Sequence, residues 1–195
     1  MSDEQRKALK KITDEMATTK DHWFEYWKTY SDFDTWQFWA NVFLFVAPLI
    51  VLFIFLDRNK AFRIGFFGFG VHMISVYLDA FGTTHGFWEY PFKWFPFLTN
   101  SLGLDASLIP VAYMLLYQWT LNREKNYYLY MTGLSLMFSF GFKPLMDWLE
   151  LFQRNKGLQF WHLFIIYLLV GIVPKLLTDF FAWYQSKAHV RRSRA

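Results

Sequence analysis

Apolar and polar positions divide the chain into a charged N-terminal segment, five long apolar runs and a basic C-terminal tail. The apolar runs cover residues 36–56, 62–82, 104–121, 127–148 and 158–183. A helix needs about 20 apolar residues to cross a bilayer core of about 30 Å, and the runs are close to that length. Only a helix satisfies all its backbone groups within one such run. The pattern therefore predicts an all-α polytopic membrane protein, a bundle of five transmembrane helices.

Residues 1–35 predict an amphipathic helix ahead of the transmembrane domain, which covers residues 36–184 and is followed by a basic tail, residues 185–195. The apolar side chains at helical spacing in this first segment are Leu9, Ile12, Met16, Trp23, Trp27 and Tyr30. A helix of this kind lies at the membrane interface. A solvated helix that only leads into the membrane is the alternative. Asp34 and Gln37 predict a capping box at the start of the first span.

The composition supports a membrane protein and excludes several other classes. Hydrophobic residues make up 54% of the chain, with 24 Phe, 11 Tyr and 10 Trp, as in helices that meet acyl chains and headgroups. The net charge is +4, but the basic residues form no compact face, so no nucleic-acid partner is predicted. The absence of cysteine excludes disulfides and thiolate chemistry. The predicted partner is the lipid bilayer, and a homo-oligomer or a partner membrane protein is left open.

Lysine and arginine residues near the ends of the spans predict the orientation. One side carries nine of them, namely Arg58, Lys60, Arg63, Arg123, Lys125, Lys187, Arg191, Arg192 and Arg194. The other side carries five, namely Lys20, Lys28, Lys93, Arg154 and Lys156. Because cytoplasmic loops are richer in basic residues, the N-terminus is predicted outside and the C-terminus in the cytoplasm.

Ionisable side chains within spans are costly, so each is a candidate site residue. In the predicted orientation most of them converge on the outer leaflet. The candidate ligand-binding residues are His72, Asp79, His85, Glu89, Asp105, Lys143 and Asp147. Residues 79–96, rich in aromatic side chains, predict an interfacial loop in which His85 and Glu89 cover this pocket. On the inner side, Lys175 and Asp179 are one helical turn apart and predict an ion pair.

Such an acid-rich pocket suits a proton, a cation or an amine. Imidazole and carboxylate groups also suit zinc or iron, but His72, Asp79 and His85 match no compact metal motif, so no metal or cofactor is predicted. The chain carries no nucleophile elbow, phosphate-binding loop or dinucleotide fingerprint, and no catalytic residues are assigned. The first hypothesis is a non-enzymatic membrane protein whose outward-facing pocket binds a small ligand or a membrane partner.

Two alternatives stay open. A small oligomeric transporter or an ion or proton pathway is suggested by prolines in four of the five spans, which are Pro48, Pro110, Pro144 and Pro174. A pathway needs polar residues at mid-membrane, for which the sequence offers His72, Ser75 and Ser139. A membrane enzyme acting on a lipid or an isoprenoid is the other alternative, with Asp79, His85 and Glu89 as acid–base candidates.

Three motifs carry a resemblance to a known family. They are HGFWEYP at residues 85–91, PVAYMLLYQ at residues 110–118 and FGFKPLMDW at residues 140–148. Over approximately residues 36–184 the chain resembles an uncharacterised family of small polytopic membrane proteins, found mainly in spore-forming Gram-positive bacteria. The resemblance implies an integral protein of the bacterial plasma membrane with about five spans and no known activity. The family pattern carries an acidic residue where this chain has Lys143.

Overall fold

The apolar runs fold into helices, and two of the loops that join them pair at one end of the molecule. The structure, a computed structural model, describes residues 1–98 and 100–192. Its elements are α1 (Asp3–Tyr30), α2 (Trp36–Phe55), α3 (Ala61–Thr84), β1 (Trp88–Glu89), α4 (Ile109–Asn122), α5 (Tyr127–Met137), α6 (Lys143–Trp148), β2 (Gln153–Arg154) and α7 (Phe160–Arg192). The chain is therefore mostly helical, as the sequence predicts.

Three helical segments are long and apolar enough to cross a membrane, and they coincide with the first, second and fifth predicted spans. They are Trp36–Phe55, Arg58–Thr84 and Phe160–Lys187. The first of them has an inverted burial pattern, because its only buried residue is Asn41 while Phe43 and Phe53 are exposed. Apolar side chains that face outward along a whole helix require an apolar surrounding. The three segments thus indicate association with a membrane.

The first predicted span begins at a different cap from the one expected. Thr35, not Asp34, is the N-cap of α2, and its hydroxyl accepts a hydrogen bond from the Phe38 amide at 3.3 Å. The Asp34 amide instead donates to the Asp32 carboxylate at 3.2 Å. The predicted capping box of Asp34 and Gln37 is wrong because the turn at Asp32 moves the helix start by one residue.

Helix α3 is the central element and packs mainly against α4 and α7. Small residues allow these close contacts. A Cβ at Gly68 would lie 2.1 Å from the sulfur of Met114, and one at Gly70 would lie 3.0 Å from the Pro174 ring. The core around them is built from large side chains of the three helices, including Phe67, Val71, Tyr113, Tyr117, Tyr167 and Val170.

A two-residue antiparallel pairing of β1 with β2 joins the loop after α3 to the loop after α6. Trp88 lies opposite Arg154, and the Asn155 amide extends the pairing by donating to the Phe87 carbonyl at 2.8 Å. Side chains alternate across a strand, so Trp88 and Tyr90 point inward while Glu89 is exposed. This pairing defines what we call the strand end of the molecule. The sequence does not predict it.

Two helices contain a wide π-type turn immediately before a proline. The Ile109 amide donates to the Leu104 carbonyl ahead of Pro110, and the Lys143 amide donates to the Phe138 carbonyl ahead of Pro144. Proline has no amide hydrogen and its ring crowds the carbonyl four residues earlier, so the helix widens at this point. Such turns often occur at functional sites. Here they carry Asp105 and precede Lys143.

At the opposite end the predicted ion pair is confirmed, since the Lys175 ammonium contacts the Asp179 carboxylate. Arg63 of α3 joins them, with its Nη2 3.5 Å from Asp179 and its Nε donating to the Tyr117 hydroxyl at 2.8 Å. Helix α7 continues to Arg192, beyond the predicted span. Arg194 of the predicted tail lies outside the described residues.

Helix α1, Asp3–Tyr30, lies within the predicted segment of residues 1–35, and in the described part of the chain its hydrogen bonds to the loop after β1 come from its C-terminal end and the residue after it. The Trp27 indole donates to the Lys93 carbonyl at 2.8 Å, and the Lys93 amide donates to the Ser31 hydroxyl at 2.8 Å. Nearer the N-terminus, Leu9 and Met16 are exposed. The predicted apolar face therefore exists, and its first half is uncovered.

Candidate functional site

The buried carboxylate of Asp79, near the C-terminal end of α3, is the centre of a polar cluster at the strand end. Its Oδ1 accepts hydrogen bonds from the Trp88 indole and the Tyr90 hydroxyl, both at 2.7 Å. Its Oδ2 accepts one from the Ser101 amide at 3.2 Å. Three donors from one loop compensate for much of the loss of hydration of a buried carboxylate.

Lys143 contributes the positive charge of the cluster. Its side chain is only 4% exposed, and its ammonium donates to the Tyr90 hydroxyl at 3.2 Å. The ammonium also lies 3.7 Å from the centre of the Phe152 ring, which is within the range of a cation–π contact. The Tyr90 hydroxyl therefore links Lys143 to Asp79 in one hydrogen-bonded chain.

Burial fixes the role of Tyr90 as a donor to Asp79. Burial raises the pKa of the Tyr90 hydroxyl well above its ordinary value, and the nearby Asp79 charge raises it further. The hydroxyl therefore keeps its proton at any physiological pH. It accepts from the lysine and donates to the carboxylate at the same time.

Asp105 is the second carboxylate and is incompletely satisfied. It lies in the wide turn before Pro110 and is only 3% exposed. Within residues 1–98 and 100–192, neither its Oδ2 nor the Oγ of Ser75 has a hydrogen-bond partner. A buried polar atom without a partner costs about 1–3 kcal/mol, so such atoms point to a missing ligand, water or proton.

These groups line one cavity of about 30 Å³. Its polar lining is Ser75, Asp79, Tyr90, Asp105, Lys143 and Tyr167. A cavity of about 10–15 Å³ already holds one water, so this one admits one or two waters or a small ion and excludes an organic amine. When all three charged groups are ionised, two carboxylates against one ammonium leave one net negative charge. The site therefore combines one net negative charge with a volume that fits a single small cation.

His72 supports this site from outside the cavity. Its Nδ1–H donates to the backbone carbonyl of Asp105 at 2.8 Å, because a carbonyl oxygen can only accept. The imidazole thereby ties α3 to the wide turn that holds Asp105. It is half-buried and its ring does not line the cavity in the described part of the chain.

The remaining predicted site residues lie away from the cavity. His85 is exposed and its Nδ1–H donates to the Phe81 carbonyl at 2.8 Å, and Glu89 is exposed as well. Asp147 pairs with Arg154 at 3.0 Å rather than with Lys143. His85 and Glu89 are not among the described lining residues of the cavity, because strand alternation turns Trp88 and Tyr90 inward instead, and their covering role stays a prediction.

This placement also bears on the metal and acid–base alternatives. Asp79 lines the cavity, but His85 and Glu89 are not among its described lining residues. Among the residues that the structure describes, no group of three or more His, Asp or Glu side chains is arranged to hold a metal ion. The trio proposed for catalysis on lipids is thus not gathered around the cavity.

Sequence reasoning missed Trp88, Tyr90 and the Ser101 amide as ligands of Asp79. The alternation of Trp88, Glu89 and Tyr90 was the available signal, since period-two alternation indicates a strand with one buried face. Three residues were too few for that pattern to be distinctive without its partner strand.

Tyr90 also separates the cavity from the surface. On its other side it lines an open groove of about 410 Å³ between α1 and the strands, together with His22, Tyr26 and Glu89. Tyr90 is thus a lining residue of both the cavity and the groove.

Fold and site together define a membrane-associated helical protein with a small, acid-rich cavity at one end. Comparisons of the chain with protein-family models, with curated proteins and with solved structures find no match.

Proposed function

We propose that the protein is a five-span integral membrane protein that binds a proton or a small monovalent cation in the cavity between Asp79, Asp105 and Lys143. The observation that supports it most directly is the unpartnered Oδ2 of Asp105, buried beside a second carboxylate and a single ammonium. The function is binding rather than catalysis.

Five membrane crossings are supported by the lengths of the two interrupted helices. Residues 104–122 and 127–148 form helical runs that contain the wide turns. At 1.5 Å per residue they extend about 28 and 33 Å, which matches a bilayer core. The basic residues of the loops after α2 and α4 lie at the end opposite the strands. In the proposed orientation the strand end and the N-terminus face outward and the C-terminus is cytoplasmic.

The bacterial plasma membrane is the proposed location, in line with the family resemblance of residues 36–184. The difference from the family pattern at Lys143 changes the charge of the cavity. A third acid in place of Lys143 would leave the cavity with three carboxylates and a different ligand preference. We therefore propose the cation site for this chain and not for the family as a whole.

The size and charge of the cavity select the ligand. One positive charge neutralises the site, and a volume of about 30 Å³ leaves no room for a hydrated ion. Divalent ions are disfavoured because calcium takes six to eight oxygen ligands and magnesium keeps several waters. A proton or a dehydrated monovalent cation satisfies both conditions.

The test is the unfolding temperature of the purified protein in detergent, measured at several pH values and in sodium, potassium or N-methylglucamine chloride of equal concentration. We expect stabilisation by protons or by the small cations over the bulky one. Below pH 8, where Lys93 stays charged, Asp105→Asn should remove this dependence, because the amide is neutral at every pH. Asp147→Asn, which alters an acid outside the cavity, is the matched control and should keep it.

The groups that face Asp105 from neighbouring elements are Asp79, Lys143, Tyr90, Tyr167 and Asn100. Of these residues and Asp105 itself, Asp105 is the one with an unpartnered buried oxygen in the described part of the chain, so its substitution should have the largest effect on ligand dependence. The proposal fails if the unfolding temperature of the wild type is the same in all cations and at all pH values below 8. It also fails if the unfolding temperature of Asp105→Asn depends on cations and pH as that of the wild type does.

A second candidate function, a proton pathway, is favoured by hydroxyl groups in the middle of the bundle. The Tyr113 hydroxyl donates to the Tyr167 carbonyl at 2.8 Å and lies 2.9 Å from Ser135 Oγ. Ser139 Oγ donates to the Ser135 carbonyl at 2.8 Å. These groups lie between the cavity and the ion pairs of Arg63 and Lys175 with Asp179, where the sequence offered few polar residues.

Proton flux into proteoliposomes under an imposed pH gradient tests this second function. Tyr113→Phe removes the hydroxyl and keeps the ring, so it should slow the flux without unfolding the protein. A flux no greater than that of empty liposomes excludes the pathway and leaves the binding proposal untouched.

A further inference from the structure

A second concave site lies outside the bundle, between α1 and the loop that follows β1. We call it the α1–loop groove, and it has a volume of about 730 Å³. Its apolar walls are Ile12, Met16 and Trp23 of α1 with Pro96, Phe97 and Leu98 of the loop. Pockets of roughly 300–1,000 Å³ with apolar walls and a few polar groups are typical of ligand sites.

Two lysines supply the polar groups of this groove. The Lys93 ammonium lies 3.7 Å from the centre of the Trp23 ring, and the Lys20 ammonium lies 4.9 Å from that of Phe97. Aromatic faces stabilise an ammonium but accept none of its N–H groups in a normal hydrogen bond. Within the described chain, no carboxylate lies within 4.0 Å of either ammonium.

Lys93 is the more unusual of the two. Its side chain is 8% exposed, whereas lysines are almost never fully buried without a partner. Burial lowers the pKa of Lys93 to about 8, although Glu89 and Asp79 act in the opposite direction. An anion in the groove would provide the missing partner and favour the charged lysine.

The remaining charge on the groove wall is Glu15, which lies 3.9 Å from Lys11. Two ammonium groups and one carboxylate leave the groove with a net charge of +1. The expected ligand is therefore negatively charged and has an apolar part that covers the aromatic walls.

The groove is placed beside the membrane. The loop contacts α2 through Trp94, whose ring centre lies 4.9 Å from that of Phe45, and α2 is one of the membrane-spanning candidates. Phe95 and Phe97 of the same loop are exposed. A lipid of the adjoining leaflet therefore has access to the groove, and lysine ammonium groups there attract its phosphate.

We propose that the α1–loop groove binds an anionic phospholipid, with the headgroup phosphate between Lys20 and Lys93 and an acyl chain along Trp23, Phe97 and Leu98. This inference rests on the proposed membrane location but not on the cation site. The lipid also fixes α1 against the loop, which explains how a helix with few protein contacts keeps its position.

Lipid binding to the full-length protein in detergent, measured by native mass spectrometry, tests the proposal. The probes are phosphatidylglycerol and phosphatidylcholine with identical acyl chains. We expect tighter binding of phosphatidylglycerol, and a loss of about fivefold for each of Lys20→Met and Lys93→Met, since a basic residue near a membrane surface contributes about 1 kcal/mol. Lys7→Met, an exposed α1 lysine outside the groove, is the control and should bind as the wild type does.

The apolar half of the site is tested by Phe97→Ser, which should weaken the binding of both lipids. Equal affinity for the two lipids overturns the proposal, and so does wild-type binding by both lysine variants. If Lys93→Met does not fold, the exposed Lys20 still decides the outcome. Binding of inorganic phosphate as tightly as phosphatidylglycerol overturns the lipid assignment.

The two proposals fail separately. Lys20→Met should leave the dependence of the unfolding temperature on pH and small cations unchanged, because Lys20 does not line the cavity. Asp105→Asn should leave lipid selectivity unchanged, because Asp105 does not line the groove in the described part of the chain. If neither lipid binds while the cation dependence persists, only the groove proposal is lost.

Discussion

The indole ring of Trp88 lies directly on Gly82 of α3, so closely that a Cβ at Gly82 would stand 2.0 Å from the ring. This contact brings the indole N–H to Asp79. We expect Gly82→Ala to displace Trp88, break its hydrogen bond to Asp79 and destabilise the protein by about 1–3 kcal/mol. Unfolding by increasing denaturant in detergent, followed by tryptophan fluorescence, measures the loss.

Gly65→Ala is the matched control for this prediction, since it lies in the same helix and a Cβ there meets nothing within 4 Å. Alanine favours a helix over glycine by about 1 kcal/mol, so this variant should be as stable as the wild type or more stable. Equal stability of the two alanine variants would show that Trp88 does not need Gly82.

Removing Lys143 should be among the most destabilising single changes at the strand end. Lys143→Met leaves Asp79 and Asp105 facing each other without a positive charge, and breaking a buried charge pair costs about 3–5 kcal/mol. The double variant Lys143→Met with Asp105→Asn should recover part of this loss, because one carboxylate charge is also removed. Denaturant unfolding of the two single variants and the double variant gives the coupling directly.

The exposed Lys125, replaced by methionine, is the control for the loss of a lysine as such. It should change stability by less than about 0.5 kcal/mol. Purely additive effects of the Lys143 and Asp105 substitutions would contradict the shared cavity.

The buried Lys93 predicts a stability that rises with pH. Its pKa is lowered from 10.5 to about 8 in the folded protein, so between these values the unfolded chain binds more protons than the folded one. The free energy of unfolding therefore increases as the pH rises through this window, and the cost of the buried charge is fully present below about pH 8. Between pH 8 and 9.5 we expect a gain of about 1.5 kcal/mol, measured without added lipid.

Lys93→Met should flatten this dependence, and Lys28→Met, an exposed lysine of α1, should not. The range stops at pH 9.5 because tyrosines titrate above it. Unfolding stability that falls over this range in the wild type would contradict the assignment to Lys93.

Trp27 holds the C-terminal part of α1 through one hydrogen bond from its indole to the Lys93 carbonyl. Trp27→Phe keeps most of the ring and removes the donor, at a cost of about 1 kcal/mol. We expect faster amide hydrogen exchange in residues 20–30 and no change at the cavity. Trp36→Phe, which alters an exposed tryptophan, is the control, and equal exchange in both variants would show that the bond does not hold α1.

The sequence by itself determined the helices and the local pairs. Helix positions follow from runs of apolar residues, and the ion pair of Lys175 with Asp179 follows from a spacing of one turn, because both depend only on neighbours along the chain. The amphipathic helix of residues 3–30 was predictable for the same reason. The crowding of acids toward one end could also be predicted from their positions along the predicted spans.

Only the tertiary structure decided which charges share a cavity. Asp79, Asp105 and Lys143 come from three different helices, and their meeting depends on two wide turns whose geometry responds to Pro110 and Pro144. The inward direction of Trp88 and Tyr90 depends on pairing with residues more than 60 positions later. The same pairing brings Arg154 to Asp147, so Asp147 forms its ion pair with Arg154 and not with Lys143, four residues before it. Non-local contacts set these choices, and a pattern of neighbours along the chain carries no information about them.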